Sequence, residues 1–145
     1  MTERFTYIGS SYVFLIKDGR ILLQRRYNTG VMYGHYGVPA GHLDGGETAR
    51  EGAVRECKEE IGIDINPADL RVVHVMHRKA ECDERIDFFM TVDRYEGTIE
   101  NREPHKCDEL GWFPIDDLPD NTIDLMRAAI TSFQNNEFYS EYGWQ

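Results

Sequence analysis

The stretch Gly41-His42-Leu43-Asp44-Gly45-Gly46-Glu47-Thr48-Ala49-Arg50-Glu51-Gly52-Ala53-Val54-Arg55-Glu56-Cys57-Lys58-Glu59-Glu60-Ile61-Gly62-Ile63 decides the fold. Thr48 followed three residues later by Glu51 is a capping-box pattern, which predicts a helix beginning at Ala49. Val54, Cys57 and Ile61 share one face of that helix and would anchor it on a core. Gly62 stands where a left-handed residue would end it. Ahead of the helix, Gly41, Gly45 and Gly46 make a loop whose backbone can come close to a phosphate or a metal ion. Arg55 and Glu47, opposite in charge at the helix and loop edges, are placed to clamp one to the other.

A second face of the same helix carries Glu56, Glu59 and Glu60, three and four residues apart. At helical pitch they fall within about 100° of one another. Like charges so spaced repel by about 0.2–0.5 kcal/mol per pair on an isolated helix. A cation reverses the sign of that cost. Hard, all-carboxylate oxygen donors suit Mg²⁺, with Mn²⁺ as a substitute, better than zinc.

Glycine, five residues, glutamate, seven residues, then Arg-Glu, an apolar residue, any residue, Glu-Glu, any residue, Gly and an apolar residue is the order met by Gly41, Glu47, Arg55, Glu56, Cys57, Glu59, Glu60, Gly62 and Ile63. This segment, residues 41–63, resembles the Nudix box, with Cys57 at a position that usually holds a larger aliphatic side chain. Cysteine packs as a small hydrophobe, so the departure touches nothing catalytic. The resemblance implies an α/β/α sandwich over residues 1–145, a single Nudix hydrolase domain in which a mixed sheet is flanked by helices and the box forms a loop–helix–loop.

Composition is consistent with this. A chain of 145 residues suffices for one domain with a real core. A formal net charge of −10 argues against stable nucleic-acid binding, and a polyanionic small substrate would need cations at its site. Met1 to Thr6 lacks the pattern of a secretory signal, and no apolar run is long enough to span a membrane. Cys57, Cys82 and Cys107 form no Cys-x-x-Cys pair and read as reduced thiols of a cytoplasmic protein. His74 and His77, three apart in an expected strand, face opposite sides and so do not form a zinc pair; His105 and Cys107 offer only two ligands.

Outward from the box, residues 7–17 read as a strand and Asp18-Gly19 as a hairpin turn into a second strand, 20–26. Residues 27–36 read as a loop and Gly37 to Ala40 as a short strand. Leu70 to His77 reads as another strand. Alternation of Ile86, Phe88, Met90 and Val92 predicts one that is half-buried. A turn at Glu96-Gly97, a short strand around Trp112-Phe113 and an amphipathic helix over 122–135 complete the mixed α/β pattern. The aromatic tail, Phe138, Tyr139, Tyr142 and Trp144, would dock on its own domain or pair two subunits as a homodimer.

Nudix enzymes hydrolyse a nucleoside diphosphate linked to another group. By resemblance, Glu56, Glu59 and Glu60 supply metal ligands or the general base, while Arg55 and Glu47 orient them. Ala40 and Gly41 flank a backbone carbonyl that helps to bind metal in the family. Glu103 is the candidate for a further ligand, with Asp108 and Glu109 as competitors. Tyr33, His35, Tyr36 and Phe89 are candidates to stack on a base, with core packing as the alternative. His77-Arg78-Lys79 replaces the proline that often marks ADP-ribose hydrolases, and Lys79-Ala80-Glu81 replaces the tyrosine of dinucleoside polyphosphate hydrolases. The expected activity is therefore a MutT-like, Mg²⁺-dependent pyrophosphohydrolase of a nucleoside triphosphate or diphosphate derivative, with triphosphate giving monophosphate and pyrophosphate. The alternatives are a nucleotide-sensing module without turnover and, within the class, an ADP-ribose, nucleotide-sugar or RNA 5′-end pyrophosphohydrolase.

Overall fold

The structure, a computed structural model, describes residues 3–30 and 32–145. Met1 and Thr2 of the expected leading segment, and Val31 of the expected 27–36 loop, lie outside them. Its elements run β1 (Ile8–Phe14), β2 (Ile16–Lys17), β3 (Arg20–Arg26), β4 (Tyr36–Gly37), β5 (Ala40–His42), α1 (Ala49–Ile61), β6 (Arg71–Lys79), β7 (Glu84–Thr91), β8 (Cys107–Pro114), α2 (Asp124–Gln134) and β9 (Tyr139–Tyr142).

The strands form two sheets. One has the order β5-β1-β7-β6-β9 and is mixed, because β1 runs parallel to β7 and β6 parallel to β9. The other is centred on β3, with β8 along one edge and β2 and β4 sharing the other. Alternation then sorts the side chains into two cores. Tyr12, Phe14, Ile21, Leu23, Met76 and Phe89 pack under Met126, Ala129 and Ile130 of α2. Val13, Leu15, Leu22 and Met90 pack under Ala53, Cys57 and Ile61 of α1. This is the α/β/α sandwich expected from the sequence, and among its described residues no helix is long and apolar enough to cross a membrane.

The departures from expectation have local causes. Residues 7–17 are not one strand: the chain leaves the first sheet after Phe14, and Leu15, whose carbonyl accepts from Leu22 N–H at 3.0 Å, delivers it to the second. Residues 37–40 do not form one either. Val38-Pro39 is the return crossing, since Pro39 has no N–H for a ladder and only its carbonyl is used, accepting from Val13 N–H at 2.9 Å. Strand β7 is covered on both faces rather than half-buried, with Asp87, Phe89 and Thr91 on the side opposite Phe88 and Met90.

The aromatic tail docks on its own domain. β9 adds to β6 in parallel register, Val75 opposite Tyr139, and Trp144 Nε1 donates to the His77 carbonyl at 2.9 Å. His74, fully buried, fastens the approach to β9: its Nδ1 donates to the Glu137 carbonyl and its Nε2 accepts from Ser140 Oγ, each at 2.7 Å. Cys57 and Cys107 are buried, and Cys82, in the β6–β7 turn, is exposed.

Candidate active site

Each local device expected of the box helix is present. Thr48 Oγ1 accepts from Glu51 N–H at 3.1 Å and Glu51 Oε1 accepts from Thr48 N–H at 2.9 Å, closing the capping box. Gly62 ends α1 at φ 78°, its N–H donating to the Cys57 and Lys58 carbonyls. Cys57 and Ile61 are fully buried and Val54 packs beside them. With that face fixed, Glu56, Glu59 and Glu60 are turned towards β3 and β5, where they line one cavity of about 320 Å³.

Arg55 is the hub of the loop–helix clamp. Its Nε and Nη2 donate to the Glu47 carboxylate at 3.0 and 2.7 Å, its Nη1 to Glu56 Oε1 at 2.7 Å, and its Nη2 also to the His42 carbonyl at 3.1 Å. Arg55, followed by the Asp44 N–H, holds the Glu47 carboxyl at about 2, well below the usual range. In return the Glu47 hydrogen bonds push the Arg55 guanidinium higher still, so both stay charged. Glu59 is half-exposed and only 3.8 Å from Arg55 Nη1. With Asp44 Oδ2 3.4 Å from Nη2, one guanidinium thus serves four carboxyl groups.

Glu60 carries the strain of that imbalance. It is buried, receives Gln24 Nε2 at 2.6 Å and lies 3.4 Å from the Ala40 N–H. Burial first, and then Glu56 beside it, push the Glu60 carboxyl well above the usual range. The backbone is equally close: a Cβ added at Gly41 would overlap the Glu56 carboxylate where Arg55 holds it. Among the described residues no three His, Cys, Asp or Glu side chains are already gathered as a ligand cluster; Arg55 engages Glu56 and Gln24 engages Glu60. The donor chemistry nevertheless fits a hard divalent ion: carboxylate oxygens in charge excess, one of them buried, beside open backbone.

Glu103, far from the box in sequence, lines the same cavity. Its competitors are engaged elsewhere. Asp108 takes Arg25 Nε and Nη2 at 2.7 and 3.0 Å, and Glu109 accepts the Tyr36 hydroxyl. The stacking candidates fare differently. Phe89 is fully buried and stacked on Tyr12 at 4.5 Å, and Tyr36 is buried against Phe113 at 5.0 Å, so both are core residues with no face to offer a base. Tyr33 is exposed and packs on Tyr27 at 5.7 Å, and His35 Nδ1 lies 3.1 Å from the Tyr33 carbonyl; neither lines the cavity.

Gln24, Arg25, Arg26 and Lys106 join the cavity wall without having been singled out in the sequence. Gln24 was discoverable in principle. It is a polar residue two places after Leu22 in a strand of otherwise buried leucines, on the face that alternation turns to α1.

The chain's likeness to known proteins points the same way. Residues 8–133 match the family model described as NUDIX domain. The chain is 32% identical over 111 residues to a nucleoside triphosphate pyrophosphatase/Nudix hydrolase fusion protein of Bifidobacterium longum; the match covers 74% of this chain but 22% of that protein. It is 29% identical over 132 residues to the ADP compounds hydrolase NudE of Escherichia coli, covering 88% of this chain and 70% of that one. Among solved structures, a MutT NUDIX hydrolase from Burkholderia pseudomallei superposes with a TM-score of 0.78 at 26% identity, covering 87% of this chain and 97% of the other.

Proposed function

This chain belongs to the Nudix family of hydrolases, and from that premise we propose that it is a Mg²⁺-dependent nucleotide pyrophosphohydrolase, Mn²⁺ substituting, acting on a nucleoside triphosphate or diphosphate derivative. The observation that carries this reading is the convergence of Glu56, Glu59, Glu60 and Glu103 on one cavity beside the Ala40-Gly41 backbone. These residues would hold the ion, which when bound supplies charge neutralisation for phosphate oxygens and acidifies water.

The chain's own groups do the rest. Arg55 keeps Glu47 and Glu56 in place, so the glycine loop and α1 act as one rigid support. Gln24 fixes the Glu60 carboxyl by a hydrogen bond across the two elements. Arg26 and Lys106 bring cationic side chains to the wall against which phosphates would lie. A small nucleotide is the expected partner: a net charge of −10 disfavours nucleic acid, and the three unpaired thiols agree with a cytoplasmic setting. β9 docks through its backbone, while Phe138, Tyr139 and Trp144 keep exposed faces that a second subunit in a homodimer would cover.

Incubating the protein and Mg²⁺ with a nucleotide panel in ¹⁸O-labelled water tests the reading. Monophosphate and pyrophosphate from a triphosphate are the expected products, and full activity in excess chelator would sink the metal assignment. A second reading within the class, hydrolysis of an ADP compound, draws on the likeness to a protein of that name. It predicts that ADP-ribose outcompetes every triphosphate by kcat/KM.

A further inference from the structure

A second cavity, of about 370 Å³, opens beside the carboxylate cavity, and Gln24, Arg26, Val38 and Ala40 line both. Its size lies in the range of small-molecule sites. Val38, Ile123, Leu125 and Met126 give it an apolar side, where the start of α2 meets the Val38-Pro39 crossing. Two of its polar residues, Ser10 and Arg78, are buried and have hydrogen-bonding groups to offer a ligand. Ser10 Oγ, on a residue 1% exposed, has no partner among the described residues. Arg78, 8% exposed, gives Nε and Nη2 to Asp87 at 2.7 and 3.4 Å and Nη2 to the Tyr12 hydroxyl at 3.4 Å. No described residue takes its Nη1. A buried hydroxyl in the condition of Ser10 is costly, and a bound ligand relieves it.

Charge and donor inventory narrow the ligand. Arg78 is neutralised by Asp87, and Arg85, on the same wall, by Asp83 at 2.7 Å. That wall therefore has little net charge to spend on a second anion, while its apolar side suits the face of a ring. Guanidinium groups only donate, and no described residue lining the cavity is a carboxylate. A guanidinium and a hydroxyl side by side suit the O6/N7 edge of guanine or hypoxanthine and O4 of uracil, at the place where adenine and cytosine present an exocyclic amino group instead. We propose that this cavity holds the nucleobase of the substrate, and that Arg78 and Ser10 read a carbonyl edge there, so that keto bases such as guanine, hypoxanthine and uracil are selected over adenine and cytosine. The inference rests on the nucleotide-hydrolase reading, whose phosphate site is the adjoining cavity.

Calorimetric titration of the full chain with GMP, AMP and ribose 5-phosphate, with no turnover required, tests it. GMP should bind at least about tenfold tighter than AMP, and Ser10→Ala and Arg78→Lys should each bring that ratio towards one. Thermal melting accompanies both variants; should Arg78→Lys fail to fold, Ser10→Ala carries the test alone. AMP binding as tightly as GMP, or a ratio unchanged in folded variants, overturns the proposal. Ribose 5-phosphate binding as tightly as GMP overturns it too, because the cavity would then be taking an anion. Selective GMP binding by a protein that hydrolyses no nucleotide upholds the base pocket and overturns the hydrolase reading, which keeps the two failures apart.

Discussion

The box cluster and the buried Arg78–Asp87–Tyr12 group are both built from arginine and carboxylate, yet they are opposite in balance. In the first, Arg55 faces Glu47, Glu56 and Glu59, with Glu60 behind them, and acid exceeds base. In the second, one guanidinium meets one carboxylate, and the Tyr12 hydroxyl closes the group by donating to Asp87 at 3.1 Å. Burial, followed by the Asp87 charge, pushes that hydroxyl up, so it remains a donor. An unbalanced cluster asks for a cation. A balanced one, with a donor to spare, asks for a neutral acceptor.

The contrast breaks most visibly at Asp87. Asp87→Asn leaves Arg78 buried without a countercharge and should cost about 3–5 kcal/mol of stability, read from urea unfolding. A loss below 1 kcal/mol would mean that the group is not a closed ion pair. The same isosteric change in the box should act in the other direction on the fold. Glu60→Gln removes a buried like charge, so melting should hold or rise while kcat falls at least about a hundredfold, roughly 2.7 kcal/mol of transition-state stabilisation. Glu59→Gln should match it in rate. If Glu60→Gln melts early and still turns over, Glu60 is structural.

Glu103→Gln should sharpen the boundary of the unbalanced cluster. An apparent weakening for Mg²⁺ of about tenfold, or ~1.4 kcal/mol, with melting unchanged is expected, and Asp108→Asn and Glu109→Gln should weaken it less because Arg25 and Tyr36 already hold those carboxylates. A crippled Asp108 variant beside a normal Glu103 variant would reassign the ligand. The smallest effect belongs to acid titration of the clamp. Glu47 is held at about 2, below its ordinary value, so its contribution to stability is present above that ordinary value and drains away as pH falls through the interval down to about 2. Glu47→Gln should flatten this part of the acid-unfolding curve; an unchanged curve would detach the loop clamp from folding stability.

Legibility in the sequence follows the same division. The box cluster spans residues 47–60, within reach of helical periodicity and capping rules, so its helix, cap, carboxylate face and Arg55–Glu47 pair were all readable. Glu103 was readable only by resemblance, because nothing local says where the loop before β8 lies. The Tyr12–Arg78–Asp87 group joins three strands, and no spacing rule links its members. The same blindness to pairing left Phe89 and Tyr36 open between stacking on a base and packing in the core. An aromatic side chain looks alike in a strand whether its face meets a ligand or, as with Phe89 on Tyr12, another ring. Strands 7–17 and 37–40 failed for a related reason: periodicity records which way a side chain points and not which sheet receives it.

The arrangement of the cysteines turns the molecule into its own clock. Cys82 stands open to reagents, whereas Cys57 is sealed beneath α1 and its thiol pushed up by burial, so it reacts only when that helix lifts. Cys107 lies buried at the edge of the carboxylate cavity. A pulse of thiol reagent would therefore mark Cys82 at once and the other two at the pace of local opening. The interval between their labelling times would measure how often the helix bearing the glutamates lets go compared with the wall facing it.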